Sequence, residues 1–331
     1  MTGSCVVTGA AGFVGRALLG GRPPAGTDRW IGWLRRAPQH PLHGVSYVEF
    51  ADLSNTVWRA SDFAGVNAVV HAAARVHLMH DSAADPLAEF LRSNAAGTLA
   101  LAEAAAEAGV RRFVYLSSIK VLGERTLAGQ RFRVNDPPQP ADPYGISKHE
   151  AEVGLRRLAG RSRMQIVVIR PPLIYGPGVR ANFLRMMRWV HRGVPLPFGA
   201  IDNVRSLAAL DNVVDLVRRC VEHPAAANQT FHVSDDEDVS TSDLLRRIAL
   251  AFGKPARLLP VPPRLLLAVA SLVGLQGEIR RLEESLVVDI ARTRETLSWS
   301  PPVTLDEGLR RTVAGFLADS ATPPAFPAAP P

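Results

Sequence analysis

The chain has 331 residues, 47% apolar and 21% charged, the balance of an ordinary globular protein and not of a disordered one. Its net charge of +7 is carried almost wholly by arginine, since lysine stands only at positions 120, 148 and 254. The arginines are scattered and no nucleic-acid-binding motif is present, so nucleic acid is not an expected partner. An anionic small ligand would use part of the charge.

The opening residues, MTGSCVVTGAAGF, run into a buried-strand pattern with no basic segment and no cleavage site, so no secretory signal is expected. Two cysteines, Cys5 and Cys220, cannot build a disulfide scaffold, and a reducing cytoplasm is the expected compartment. The longest apolar run, 265–275, is too short to span a bilayer and reads as a buried helix; contact with a membrane surface is its other reading. No transmembrane segment and no metal site are expected.

In chain order, residues 4–8, 29–34, 46–50, 68–71, 112–116 and 165–169 read as strands rich in valine, isoleucine and aromatics. Between them, 86–108 and 144–159 carry alanine and leucine at helical spacing. Such alternation predicts an α/β fold with a doubly wound parallel sheet and helices on both faces. Beyond about residue 170 prolines become frequent, strands shorten, and helices at 211–222 and 241–252 stand alone. The expected organisation is a nucleotide-binding domain over 1–170, a smaller mixed domain over 171–319, and a disordered Pro/Ala-rich tail over 320–331.

The first strand ends in Gly9-Ala10-Ala11-Gly12-Phe13-Val14-Gly15. Gly9 permits a tight turn, Gly12 lets backbone approach a pyrophosphate, and Gly15 allows close helix–strand packing; the helix N-terminus then faces the phosphates. Sites selective for NAD place an acid after the second strand, to bind the ribose 2′-hydroxyl. Here Arg35 and Arg36 stand there, with Arg16 after the third glycine, and guanidinium groups suit a 2′-phosphate. NADP is therefore preferred over NAD, the other reading of the arginines being a solvated pair. Asp52 and Leu53 follow the third strand, where an acid could accept from the adenine amino group, and Ala72 after the fourth leaves room for the cofactor.

Tyr144 and Lys148 lie four apart, which places both on one helix face. An ammonium nearby favours the phenolate and would bring the phenol into working range for proton transfer. Ser118 ends the fifth strand at the same carboxyl edge, where its hydroxyl could polarise a substrate oxygen.

With these residues in this order, the chain resembles the extended short-chain dehydrogenases/reductases, in the NAD-dependent epimerase/dehydratase branch that holds nucleotide-sugar 4-epimerases and 4-ketoreductases. The likeness runs from Gly9 to about Leu317. It implies a Rossmann sheet with a C-terminal substrate domain, Asn94 as the residue that bends the long helix and orders Lys148, and Pro171 in the loop crossing the nicotinamide. It further implies that Asn182, Arg205 and Arg292 meet a UDP-sugar, Arg205 at its diphosphate, and that the protein is a homodimer through 86–108 and 144–159. Two departures stand out. Dehydratases of the branch carry Asp-Glu after the hydroxyl residue, where this chain has Ile119 and Lys120. Epimerases usually place a tyrosine where Leu122 stands.

The resemblance implies NADPH-dependent reduction at C4 of a UDP-4-keto-6-deoxy-N-acetylhexosamine for surface polysaccharide, favoured by Arg35 and Arg36. The alternative within the branch is a UDP-hexose 4-epimerase that retains NAD. A sterol dehydrogenase and a non-catalytic NADP-binding scaffold are more distant alternatives; scaffolds commonly lose the Tyr or Lys kept here.

Overall fold

A computed structural model describes residues 3–76, 85–272 and 276–321. Six strands from the first half form most of a parallel sheet: β1 (Gly3–Thr8), β2 (Thr27–Leu34), β3 (Val45–Glu49), β4 (Val66–His71), β5 (Arg112–Leu116) and β6 (Gln165–Arg170). All six expected strands are present, with ends shifted by no more than two residues. β1 is buried along its length, and its alternation feeds two cores at once: Cys5 and Val7 face one layer, Val6 the other.

Helices cover both faces. On one side lie α1 (Phe13–Leu19) and, from much later in the chain, α6 (Leu210–Glu222), whose Leu216 and Val217 share a core with Leu18. On the other side a helical rod runs through α2 (Pro86–Phe90), a π turn (Leu91–Ala96) and α3 (Gly97–Glu107), next to α4 (Pro143–Arg161). Leu101, Ala105, Ala151 and Leu155 fill that core. The predicted helix over 86–108 is thus one rod interrupted by a π turn centred on Asn94.

The sheet order is β3-β2-β1-β4-β5-β6-β9, where β9 (Thr230–His232) pairs parallel with β6. A smaller sheet orders β10 (Asp238–Val239), β8 (Arg205–Ala209) and β7 (Leu173–Tyr175). Over it pack α5 (Ala181–His191), α7 (Thr241–Ala251) and α11 (Leu305–Ala321), through a core that includes Phe183, Leu245, Ile248 and Leu309. Segments beyond residue 170 therefore supply both a strand and a covering helix to the large sheet, because the chain crosses from the small sheet back to the large one at α6 and β9.

The apolar run at 265–275 falls largely in α8 (Pro263–Leu272), and 273–275 lie outside the described residues. Ser320 and Ala321 finish α11, while the rest of the tail lies outside the described residues. Among the described residues no helix is long and apolar enough to cross a membrane.

This interleaving is testable. Leu216 is fully buried between α6 and the large sheet, so Leu216→Ala should cost roughly 2–5 kcal/mol. In urea the far-UV and tryptophan signals should move together to lower midpoint. A shift confined to one probe would mean that the two parts unfold separately.

Candidate active site

The glycine turn closes directly on the end of β4. Gly9 has φ +68°, and a Cβ there would stand 2.8 Å from the Ala73 nitrogen and 2.9 Å from the Ala72 carbonyl carbon. A Cβ on Gly15 would meet the Gly9 oxygen at 2.2 Å. No side chain caps α1 at Gly12, and its first turn holds no acid, so the free N–H groups of Phe13, Val14 and Gly15 remain for an anion. These features fit the pyrophosphate of a dinucleotide.

His71 braces the turn from below. It is fully buried, its Nδ1 is 2.7 Å from Thr8 Oγ1, and its Nε2 is 2.9 Å from Thr98 Oγ1. Thr8 Oγ1 also accepts from the Ala73 N–H at 3.3 Å, which ties β1, β4 and α3 together beneath Gly9. Burial, with Lys148 adding to it, lowers the imidazole pKa to about 3. The ring is therefore neutral at ordinary pH.

At the end of the site where adenosine is expected from the sequence, Arg35 and Arg36 are exposed just past β2. Asp52 Oδ1 accepts from both the Ser54 N–H (2.8 Å) and its hydroxyl (2.5 Å). Burial alone would raise this carboxyl, but the Ser54 bonds and the charges of Arg92 and Arg35 outweigh it and hold it below the ordinary range. Leu53 is buried against α3, where a Cβ on Gly97 would come within 2.9 Å of its carbonyl oxygen.

The strand ends of β5 and β6 and the first turns of α4 bring the other candidates together. Ser118 is buried and begins a short 3-10 turn (Ile119–Val121), accepting from the Lys120 N–H at 3.3 Å. The Pro171 carbonyl pins that turn by accepting from Ile119 N–H at 2.9 Å. α4 starts at an Asp142 cap whose Oδ1 accepts from the Gly145 N–H at 2.6 Å, and Lys120 forms an ion pair with the same carboxylate. The segments carrying Ser118 and Tyr144 are thereby joined.

Lys148 Nζ donates to the Leu116 carbonyl at 2.8 Å and lies 4.7 Å from the Tyr115 ring centre and 5.8 Å from that of Tyr144. Burial pulls its ammonium down to about 7, against the opposing charge of Glu152. The sequence suggested a phenol brought down by this ammonium. Instead burial, and then the Asp142 charge, push Tyr144 well above the ordinary phenol range. Tyr144 is thus a neutral hydrogen-bond donor in this state.

Asn94 Nδ2 donates to Ser147 Oγ (3.1 Å) and to the Arg75 carbonyl (3.0 Å), while its Oδ1 accepts from the Arg75 N–H (2.7 Å). Ser147 Oγ in turn donates to the Tyr144 carbonyl at 2.8 Å. The π turn is what aims this amide at α4 rather than along its own rod.

Sequence reasoning missed Glu152. It is fully buried one turn beyond Lys148 and accepts from Ser117 Oγ (2.6 Å), from Arg170 through both oxygens (2.9 and 2.6 Å), and from Arg156 (2.6 Å). Burial would raise its carboxyl, yet the Arg170 bonds and charge, with Ser117 and Arg156, hold it below the ordinary range. The repeat Tyr144, Lys148, Glu152 at i, i+4, i+8 was the available signal.

The proposed sugar-nucleotide residues are less concentrated. Asn182 is exposed at the start of α5. Arg205 is half-buried at the start of β8, with Nη1 3.4 Å from the Glu284 carbonyl. Arg292 lies on α10 (Ala291–Leu297) and donates to Gln229 at 2.5 Å, on the amino-terminal side of β9. The structure does not bring it to the carboxyl edge with the others.

Set beside known proteins, residues 5–234 match the family model described as the NAD dependent epimerase/dehydratase family. The chain belongs to that family. It is 44% identical to a UDP-glucose 4-epimerase of Vibrio cholerae over 321 residues, covering 96% of both chains. Two solved structures share the fold with a TM-score of 0.74. One is UDP-glucose 4-epimerase of Thermotoga maritima with UDP-glucose, 22% identical, covering 96% of this chain and 99% of that one. The other is UDP-glucuronic acid 4-epimerase of Bacillus cereus in complex with NAD, 20% identical, covering 95% and 99%.

The buried imidazole has a pH consequence. With its pKa near 3 in the fold and near ~6.5 in the open chain, His71 binds fewer protons when folded between those values. Stability is therefore lost as pH falls from about 6.5 towards 3, by up to about 1.4 kcal/mol per pH unit from this one group. Urea unfolding of His71→Asn should show a correspondingly shallower fall between pH 6.5 and 4.5. An unchanged slope would mean the imidazole is protonated in the fold.

Proposed function

We propose that the protein is a nucleotide-sugar 4-epimerase that interconverts UDP-hexoses and holds its NAD throughout the cycle. The observation that carries this reading is the 44% identity across 96% of both chains to the Vibrio cholerae UDP-glucose 4-epimerase. The convergence of Ser118, Tyr144 and Lys148 at one sheet edge supports it. So does the complex of the Bacillus cereus relative with NAD.

Gly9, Gly12, Phe13, Val14 and Gly15 would hold the pyrophosphate, Asp52, Leu53 and Ala72 the adenosine side, and Lys148, Tyr144 and Pro171 the nicotinamide ribose. When bound, NAD supplies hydride acceptance at C4 and its return. The chain's own groups do the rest. Ser118 donates a hydrogen bond to the C4 oxygen and fixes it opposite Tyr144. Tyr144, once deprotonated to its phenolate, takes the C4 hydroxyl proton as the alcohol is oxidised and gives it back when the ketone is reduced. Lys148 stabilises the phenolate that Tyr144 carries at the start and end of the cycle, the phenol being neutral while the ketone exists. Asn94 acts one shell further out, by fixing Ser147 and hence the turn that carries both. Asn182 and Arg205 would orient the nucleotide, and residues 86–108 and 144–159 would form a homodimer contact.

A second reading is an NADPH-dependent 4-ketoreductase acting on a UDP-4-keto-6-deoxy sugar. It is favoured by Arg35 and Arg36, exposed where an acid would select NAD. The two readings separate in one assay. An epimerase converts UDP-glucose to UDP-galactose, followed by proton NMR, with no nucleotide added and no net redox change. A reductase gives no conversion and consumes NADPH when offered the keto sugar. Under either reading Tyr144→Phe should lower turnover by at least about 100-fold while the folded protein still binds dinucleotide. Full activity in that variant would remove Tyr144 from the chemistry.

A further inference from the structure

The face of α4 that carries Tyr144 and Lys148 continues to a third ionisable group, Glu152, with no solvent exposure. A carboxylate in that position would be strongly unfavourable unless its partners were built in. Four bonds from three side chains supply them. Ser117, the residue immediately before Ser118, donates from β5's end; Arg170 donates twice from the end of β6; Arg156 donates from the next turn of α4. Arg170 is itself 2% exposed and also reaches the Val134 carbonyl at 3.2 Å. Glu152 is thus the point at which the helix bearing Tyr144 and Lys148 is bonded to both strand ends that frame Ser118.

The same carboxylate acts on the neighbouring ammonium. The groups facing Lys148 come from several elements. Tyr144 and Glu152 share its helix, Tyr115 and the Leu116 carbonyl come from β5, His71 from β4, and Asn94 from the π turn through Ser147. His71 is neutral, the tyrosines are neutral, and the carbonyl carries only a dipole. Glu152 is the group among these that bears a full negative charge.

We infer that Glu152 is a positioning residue: its buried carboxylate anchors α4 to the Ser117–Ser118 and Arg170 strand ends and supplies the negative charge that keeps Lys148 an ammonium. The inference deepens the reading of Lys148 as the partner of Tyr144, but it concerns protonation and can be tested without turnover.

Only three lysines occur in the chain, at 120, 148 and 254, so lysine labelled with carbon-13 at Cε gives three resolvable NMR signals. The Lys148 signal is assigned by its loss in Lys148→Arg. In the wild-type protein it should titrate near neutral pH. In Glu152→Gln its midpoint should fall by about one pH unit or more, with the Lys120 and Lys254 signals unmoved. Should Glu152→Gln fail to fold because Arg170 is left buried and unpaired, the doubly neutral Glu152→Gln/Arg170→Met variant removes both charges and should still show a fall, a smaller one because a neighbouring cation is lost with the carboxylate. A Lys148 midpoint equal to wild type in the folded variant would overturn the inference and leave Glu152 a purely structural tie. A fall in midpoint in a protein that acts on no UDP-hexose would uphold the inference and sink the epimerase reading instead.

Discussion

A carboxylate enclosed between a helix and the edge of a parallel sheet is the constraint around which this molecule is arranged. Placed alone there, Glu152 would oppose folding, since burial penalises its charge. Bonded to Ser117, Arg170 and Arg156 it remains ionised, and those bonds can form only if α4, β5 and β6 keep one registry. Removing a single partner of such a pair leaves an uncompensated buried charge, which typically costs ~3–5 kcal/mol. The arrangement of the site is therefore enforced by folding itself. Ser118 is one residue from Ser117, and Lys148 and Tyr144 are one and two turns from Glu152. None of the three can drift without loosening the buried ion pair.

The glycine turn and the Tyr144–Lys148 end of the candidate site are joined by ring packing. His71 carries the Gly9 turn through Thr8 and stacks on Tyr115 at 5.8 Å, and the Tyr115 ring lies 4.7 Å from Lys148 Nζ. The Asn94 turn makes a second link, from the rod of α2 and α3 to Ser147 on α4. Both links are short and buried, so the glycine turn and the Tyr144–Lys148 pair are held by one continuous piece of core. Burial also explains why Tyr144 and Lys148 are shifted towards their neutral forms: water that would stabilise either charge has been replaced by the sheet and its covering helices.

Much of this was legible in the sequence where one physical cause dominates. Inner strands buried on both faces must be continuously apolar, and all six first-half strands were found, the largely exposed edge strand β3 among them. Gly9 and Gly15 were readable because a Cβ at either would strike backbone, and Tyr144 with Lys148 because helical spacing puts them on one face. What escaped reading depends on partners distant in the chain. Glu152 in isolation reads as a solvated acid, and only Ser117 and Arg170 make it a core residue. β9 is three residues long and joins the large sheet from beyond residue 170, because the chain returns there through α6. Asn94 was marked through resemblance alone, since a π turn leaves no periodic trace in six residues. Arg292 matched a motif, but its helix points it at Gln229.

A site that runs a closed redox cycle on one sugar nucleotide, as proposed for this protein, must keep its dinucleotide, so what the protein carries decides the matter. Purified protein should be denatured and the released nucleotide identified by chromatography and mass. Close to one NAD per chain is expected, retained through purification without supplementation. An empty site that binds added NADPH more tightly than NADH would contradict it, and would make Arg35 and Arg36 the determinants of a reductase.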